Sequence, residues 1–283
     1  MKALYVSDLD GTVLQDDGTL SPRAGRGLNA LLEAGMPITF ASARSVLSMR
    51  QILGSLPLTL PVIGANGAYL SDFSSGSHLQ IAFMESDYAA ALLDAAHQHG
   101  LEPMINSWID GTNYFSYCGI ANEGMQWSID NLVSLQDTRL RRLGDCRVVF
   151  AEQIVSMTII ADPETAASLE ASLKARGVCS GLVNYENTYS PGWHWVTVYA
   201  PGVTKGTGLQ RLKEYAGLEH ARTVVFGDNA NDLELFAAAD YRIAVGNAVS
   251  VLKDNADLVI GTNVCDSVVS YLESELQCGD DET

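Results

Sequence analysis

After Ser7 the apolar run Ala3-Leu4-Tyr5-Val6 breaks into Asp8-Leu9-Asp10-Gly11-Thr12. A buried strand that stops on two carboxylates needs a sheet with an open carboxyl edge, because the acids must lie beyond the apolar layer. Open α/β sheets have such an edge, and it borders the crevice where they bind ligands. Gly11 permits a sharp backbone turn, and Thr12 adds a hydroxyl. Two carboxylates this close repel and favour sharing a proton unless a cation neutralises them; beside a divalent cation, one can stay an ionised nucleophile while its neighbour handles protons. Calcium loops and plain Asx turns use the same letters, so the rest of the chain has to choose between chemistry and a turn.

Periodicity sets this motif in a larger pattern. Residues 1 to about 75 predict strand Ala3–Val6, helix Pro22–Ala34, strand Pro37–Ala41, helix Val46–Leu53 and strand Pro61–Gly64, which is the βαβαβ grammar of a parallel doubly wound sheet. Ser21-Pro22 is a helix start and Gly35 a stop. The grammar resumes with strand Trp195–Tyr199, helix Gly206–Ala216, strand Thr223–Phe226, helix Asp232–Ala238, strand Arg242–Val245, a short helix Val249–Asn255, strand Leu258–Ile260 and a helix from about Cys265 to Leu276. Between the halves, a helix at Ser86–His99, aromatic alternation at Tyr114–Tyr117, strand Val155–Ala161 and a helix opening at Asp162-Pro163 read as α+β. The Ser/Gly-rich stretch Ser71–Ser77 predicts a hairpin or loop at the entry to this region, and Asn187–Gly192 marks the return. The expected fold class is α/β: a Rossmann-like, doubly wound parallel core from residues 1–80 and 190–283, with an α+β domain inserted at 81–189. The acidic tail Gly279–Thr283 is expected to fray.

Composition narrows the partners. A chain of 283 residues is comfortable for two domains, and 47% hydrophobic with 18% charged residues belongs to a globular protein. With 34 acidic against 17 basic residues the formal charge is −17, which repels nucleic acid and anionic membranes. No stretch approaches a membrane span, and Asp8 and Asp10 interrupt the first apolar run too early for a secretory signal, so a cytoplasmic location is expected. The cysteines Cys118, Cys146, Cys179, Cys265 and Cys278 have no C-x-x-C spacing and are odd in number, which argues against a disulfide framework or zinc site and for buried reduced thiols.

Further polar clusters stand at other predicted strand ends and beside a helix start. Ser42, in Phe40-Ala41-Ser42-Ala43-Arg44, offers a hydroxyl at the edge occupied by Asp8, or alternatively a cap for the helix near Ser45. Arg44 either pairs with a surface acid or braces the loop. Asn66-Gly67 is first of all a turn. Thr204-Lys205 begins a helix, where an ammonium group and a helix N-terminus together favour negative charge; ordinary capping by Thr204 and a solvated Lys205 is the competing reading. Gly227-Asp228-Asn229-Ala230-Asn231-Asp232 closes the strand Thr223–Phe226. Asp8, Asp228 and the backbone carbonyl of Asp10 form an oxygen donor set suited to a hard cation such as Mg²⁺, while Asn229 also suits a helix cap.

Together these residues resemble the haloacid dehalogenase-like hydrolases, specifically the Cof-type phosphatases with a large cap inserted after the third strand. Asp8–Thr12 is similar to the family's first motif, Ser42 to its second, Lys205 to its third and Gly227–Asp232 to its fourth; Val245-Gly246-Asn247-Ala248 and Lys253-Asp254-Asn255-Ala256-Asp257 also resemble this subfamily. The resemblance implies a Mg²⁺-dependent phosphatase for a small phosphorylated metabolite, with Asp8 as nucleophile and Asp10 as acid and then base. It also implies Lys205, Ser42, Asn231 and the positions Leu9 and Ala43 around the phosphoryl group, the metal on Asp8, Asp10 and Asp228, and supporting roles for Asp232 and Arg44. A sugar phosphomutase and a non-hydrolytic phospho-acceptor module are the rivals; the acid/base Asp10 and the inserted domain weigh against the second. The expected partner is the metabolite alone, without nucleic acid or membrane, and the chain a monomer or weak homodimer. Ser42 stands where threonine is frequent, Ala43 where glycine is common, and Thr197 where an acid is frequent; the last bears on contacts near the cap hinge and leaves the chemistry intact.

Overall fold

The structure is a computed structural model that describes residues 3–178, 181–187 and 190–280, the side chains of 278–280 excepted. Cys179, Thr188, Tyr189, the side chain of Cys278 and the tail residues 281–283 lie outside the described residues. The chain begins with β1 (Leu4–Ser7), α1 (Pro22–Glu33), β2 (Ile38–Phe40), α2 (Val46–Leu53), β3 (Val62–Gly64), β4 (Tyr69–Ser71) and β5 (His78–Ile81). It continues through α3 (Ser86–Gln98), β6 (Pro103–Ile109), β7 (Thr112–Tyr117), α4 (Glu123–Ser134), β8 (Leu140–Arg142), β9 (Gln153–Ala161), α5 (Pro163–Ala175), β10 (Leu182–Glu186) and β11 (His194–Tyr199). The last stretch is α6 (Lys205–Ala216), β12 (Thr223–Gly227), α7 (Leu233–Ala237), β13 (Tyr241–Ala244), α8 (Ser250–Lys253), β14 (Leu258–Val259) and α9 (Ser267–Asp280). Two compact units result: Met1–Ile81 with Thr204–Thr283, and Ala82–Val203.

The first unit carries a five-stranded sheet in the order β14-β13-β12-β1-β2, with every neighbouring pair parallel. β1 and β12 are buried at every position, as strands covered on both faces must be. From β1 the chain steps to β2 on one side, and only after the insertion does β12 fill the other. This is the topological switch point of the sheet, so the carboxyl end of β1 opens on the crevice. The α1 helix starts where expected: the Ser21 side chain accepts the Ala24 N–H, Pro22 follows, and Ala24, Leu28, Leu31 and Leu32 form its buried stripe. The third predicted strand, β3, continues this arrangement through a single parallel bridge between Ala41 and Ile63, then turns into a three-stranded antiparallel sheet with β4 and β5. The Ser71–Ser77 stretch is the connection of the β4–β5 hairpin.

The second unit is α+β, a six-stranded sheet in the order β10-β11-β9-β6-β7-β8, antiparallel except for the parallel pair β7–β8. The strand expected at Trp195–Tyr199 in the parallel core lies instead here, as β11, antiparallel to both β9 and β10. His194 and Trp195 are half-buried in it and Val196, Thr197, Val198 and Tyr199 are buried, so burial along the strand does not by itself tell it from a parallel core strand. The unit therefore runs from residue 82 to 203, beyond the 81–189 expected. On one face Met104, Met125, Ile129 and Ile160 form a core with Tyr117, Trp193 and Trp195 against it, so these aromatics are packing residues. The cysteines depart from expectation: Cys118 and Cys146 form a disulfide, and Cys265 is exposed and free. Folding of β7 against the 3₁₀ turn Cys146–Ala151 brings their Cα atoms to 5.7 Å, a proximity that a separation of 28 residues does not announce.

One glycine ties the β3–β4 turn to the helix that bears Lys205. Gly67 has φ +104°, and a Cβ there would lie 2.0 Å from the carbonyl oxygen of Thr204, the N-cap of α6. Gly217, the C-cap of the same helix, has φ +66° and open space around it. Gly67→Ala is expected to lower unfolding free energy by about 3 kcal/mol in a urea titration, and Gly217→Ala by about 1 kcal/mol, because only the first adds a clash to backbone strain.

Candidate active site

Asp8 is the first residue past β1, and its N–H donates to the Phe226 carbonyl at 3.0 Å. The Leu9 carbonyl then accepts the N–H groups of Thr12, Val13 and Leu14 at 3.2, 3.0 and 2.9 Å, which winds the first loop into a tight turn. Gly11 takes φ +72° in that turn, and a Cβ on it would stand 2.4 Å from Asp228 Oδ2. Its bare backbone thus lets the two acid loops approach. Among the described residues the N–H groups of Leu9, Asp10, Gly11 and Ala43 find no protein acceptor, leaving open donors on the loops after β1 and β2.

Lys205 opens α6 behind a capping box, in which the Thr204 side chain accepts the Thr207 N–H and the Thr207 hydroxyl accepts the Thr204 N–H. Thr204 is thus the ordinary cap, while the Lys205 side chain, 1% exposed, lies in the interior. Its Nζ donates to Asp8 Oδ1 at 2.6 Å and Asp232 Oδ1 at 2.7 Å. The other Asp232 oxygen accepts the N–H groups of Asp228 and Asn229, both at 3.1 Å. The Thr12 hydroxyl lies 3.4 Å from Asp8 Oδ2 and 3.1 Å from Asp228 Oδ1. Burial raises the Asp8 carboxyl well above its ordinary range; Lys205 opposes the shift, and Asp232 and Asp228 add to it. Burial, with Asp232 beside it, pushes Asp228 up to about 6. Burial also works against the Lys205 ammonium, but Asp232 and Asp8 outweigh it and hold the group protonated above its ordinary value.

Oxygens of Asp8, Asp228 and Asp232 lie within 4.8 Å of one another. Three carboxylates against one ammonium leave the cluster short of positive charge, and an all-oxygen set fits a hard divalent cation. Asp232 already spends both oxygens on Lys205 and backbone amides, so Asp8 and Asp228 are the side chains with oxygens to spare.

The second motif is built differently. Ser45 caps α2, accepting the Ser48 N–H, whereas fully buried Ser42 accepts the Arg44 N–H at 3.2 Å. Arg44 reaches Asp10 as a fork, Nε to Oδ2 at 2.7 Å and Nη2 to Oδ1 at 2.6 Å. The Asp10 carboxylate, 47% exposed, therefore faces Arg44 and stands outside the three-acid cluster. Asn66 turns the chain after β3 with φ +52°, and its Oδ1 accepts the Asn231 amide at 3.3 Å, joining the third and fourth strand ends. Asn229 caps the 3₁₀ turn Ala230–Asp232. The structure thus gathers Asp8, Thr12, Lys205, Asp228 and Asp232 directly. The sequence offered Asn66 first as a turn and only second as an amide bordering the site; the bond from the Asn263 N–H to Asn247 Oδ1 at 3.0 Å was not foreseen, although the Gly246-Asn247 letters marked Asn247.

The sequence profile of the haloacid dehalogenase-like hydrolases matches residues 5–272. The chain belongs to this family. This hydrolase is 26% identical over 273 residues to the 5-amino-6-(5-phospho-D-ribitylamino)uracil phosphatase of Bacillus subtilis (strain 168), covering 95% of this chain and 96% of the relative. It is also 26% identical to the pyridoxal phosphate phosphatase of Escherichia coli (strain K12), with 95% and 97% covered. A crystal structure of a Thermotoga maritima protein superposes with a TM-score of 0.73 at 25% identity, over 97% of each chain. No helix among the described residues of the hydrolase is long and apolar enough to cross a membrane.

A carboxyl whose pKa folding has raised binds its proton more tightly in the folded chain, so the cation-free hydrolase gains stability from Asp228 as pH falls through about 6 toward the ordinary carboxylate range. In EDTA, Asp228→Asn is expected to raise Tm at about pH 7.5, and its advantage over the wild type to shrink by about pH 5.5. Mg²⁺ should raise the wild-type Tm more at the higher pH, where the cluster is ionised. A variant less stable than wild type at the higher pH would contradict this electrostatic reading.

Proposed function

We propose that this hydrolase is a Mg²⁺-dependent phosphatase that cleaves a small phosphorylated metabolite through an aspartyl-phosphate on Asp8. The carrying observation is the buried cluster of Asp8, Lys205, Asp228 and Asp232, in which Lys205 occupies one oxygen of Asp8 at 2.6 Å and leaves Oδ2 for the substrate. Asp8 Oδ2 attacks phosphorus, and the bond from phosphorus to the ester oxygen breaks. Asp10 gives its proton to the leaving oxygen, then takes one from the water that attacks the phosphorus of the intermediate, which returns Asp8 as a carboxylate and releases phosphate. For that service Asp10 has to exchange its ion pair with Arg44 for the leaving group, and its exposure of 47% permits the exchange. Lys205 keeps its proton throughout and faces the phosphoryl charge, as do the open N–H groups of Leu9, Asp10, Gly11 and Ala43 and the Ser42 hydroxyl. Asp8, Asp228 and the Asp10 carbonyl would hold Mg²⁺, which would supply positive charge for the phosphoryl oxygens.

The relatives support the substrate class, since those named above are phosphatases of small phosphorylated compounds. The inserted unit serves in this reading as the cap that selects the leaving group. Phosphate release from a panel of sugar, nucleotide and coenzyme phosphates is expected to require Mg²⁺ and to fall by at least about 10³-fold in Asp8→Asn, which keeps the shape and loses the nucleophile. Release that persists in EDTA, or in that variant, would overturn the proposal.

A further inference from the structure

The turn after β13, Val245–Val249, bonds to both acid-bearing loops. The Val245 N–H donates to Gly227 O at 3.2 Å and the Val249 N–H to Asp228 O at 2.9 Å. Between them, the side-chain amide of Asn247 donates to Gly11 O at 2.7 Å. Asn247 is itself held, for its Oδ1 accepts the Asn263 N–H at 3.0 Å. Asn263 is 2% exposed, and its amide donates to Leu14 O and Asp16 Oδ1, each at 3.0 Å. Every amide nitrogen in this chain of bonds meets an oxygen and the Asn247 oxygen meets an N–H, so the orientations are set by the partners.

We propose that Asn247 is a positioning residue for Asp10, and that Asn263 holds Asn247 in register. Gly11 is the softest point of the loop, a residue without Cβ at φ +72° immediately after Asp10. Rotation about its bonds would swing Asp10 relative to Asp8, and the Asp10 carboxylate has no anchor in the fold besides Arg44 among the described residues. By pinning the Gly11 carbonyl, Asn247 fixes the Gly11–Thr12 peptide, whose N–H donates to the Leu9 carbonyl and closes the turn that bears Asp10, and the same segment fixes the Asp228 carbonyl through Val249. The spacing between nucleophile, acid/base and metal carboxylate is thereby set by one short segment. The inference rests on the reading of Asp10 as acid and base given above.

Asn247→Asp tests it with little change of shape. The variant keeps an acceptor for the Asn263 N–H and loses the donor to Gly11 O; Asn247→Ala removes both bonds and serves as the second variant if the first folds poorly. With activity scaled to the folded fraction by circular dichroism, kcat is expected to fall about 10- to 100-fold, the cost of misplacing a reacting group. KM and the inhibition constant of inorganic phosphate should change by less than about threefold, because Asp8, Lys205 and the open amides still bind the phosphoryl group. Unchanged kcat per folded molecule with a lowered Tm would show a purely structural staple and overturn the inference while leaving the phosphatase reading intact. Equal losses in phosphate affinity and kcat would also overturn it, placing Asn247 in ground-state binding. A wild-type protein that releases no phosphate overturns both.

Discussion

Lys205 holds an ammonium group at 1% exposure, with Asp8 at 2.6 Å and Asp232 at 2.7 Å, and the other parts of the site take their places around that arrangement. Burying such a charge carries an effective penalty of several kcal/mol unless its partners compensate it. Meeting that condition joins three remote pieces of chain: the end of β1, the start of α6 and the turn after β12. Asp232 completes the arrangement by accepting two backbone N–H groups, so it fixes Lys205 and the fourth motif together. What remains are the carboxyls of Asp8 and Asp228, whose pKa values burial raises and neighbouring acids raise further, a set of buried oxygens that suits a divalent cation.

The sheet and the glycines make that closeness possible. Because β1 lies between β2 and β12 in an all-parallel sheet, the loops after all three strands leave at the same edge. Gly11 and Gly227 then remove the side chains that would keep the carboxylates apart: a Cβ on Gly11 would meet Asp228 at 2.4 Å and one on Gly227 would meet Asp232 at 2.7 Å. The glycine letters of the first and fourth motifs are thus steric requirements of one charged cluster.

Much of this was legible in the sequence because parallel strands and their polar ends are local signals. The run Leu4–Val6 against Asp8-Leu9-Asp10, and Val224–Phe226 against Asp228, changes character within two residues, and helix starts such as Ser21-Pro22 and Asp162-Pro163 cap as their letters require. The misplaced element was β11, whose six residues suit either sheet until its antiparallel partners β9 and β10 are known. The Cys118–Cys146 bond was illegible for the same reason, since only tertiary packing brings the two together. In the site, residue types pointed to Asp8, Lys205 and Asp228, while the fork between Arg44 and Asp10 and the relay from Asn263 through Asn247 to Gly11 depend on loop geometry that no spacing encodes.

The central claim is that Asp8 accepts the phosphoryl group. Rapid acid quenching of the protein during turnover of a ³²P-labelled phosphomonoester, followed by peptide mapping, tests it directly, because an acyl phosphate survives acid and is lost in base. Base-labile label is expected on the peptide that contains Asp8. Steady phosphate release with no label on the protein, or label on any other residue, would contradict it.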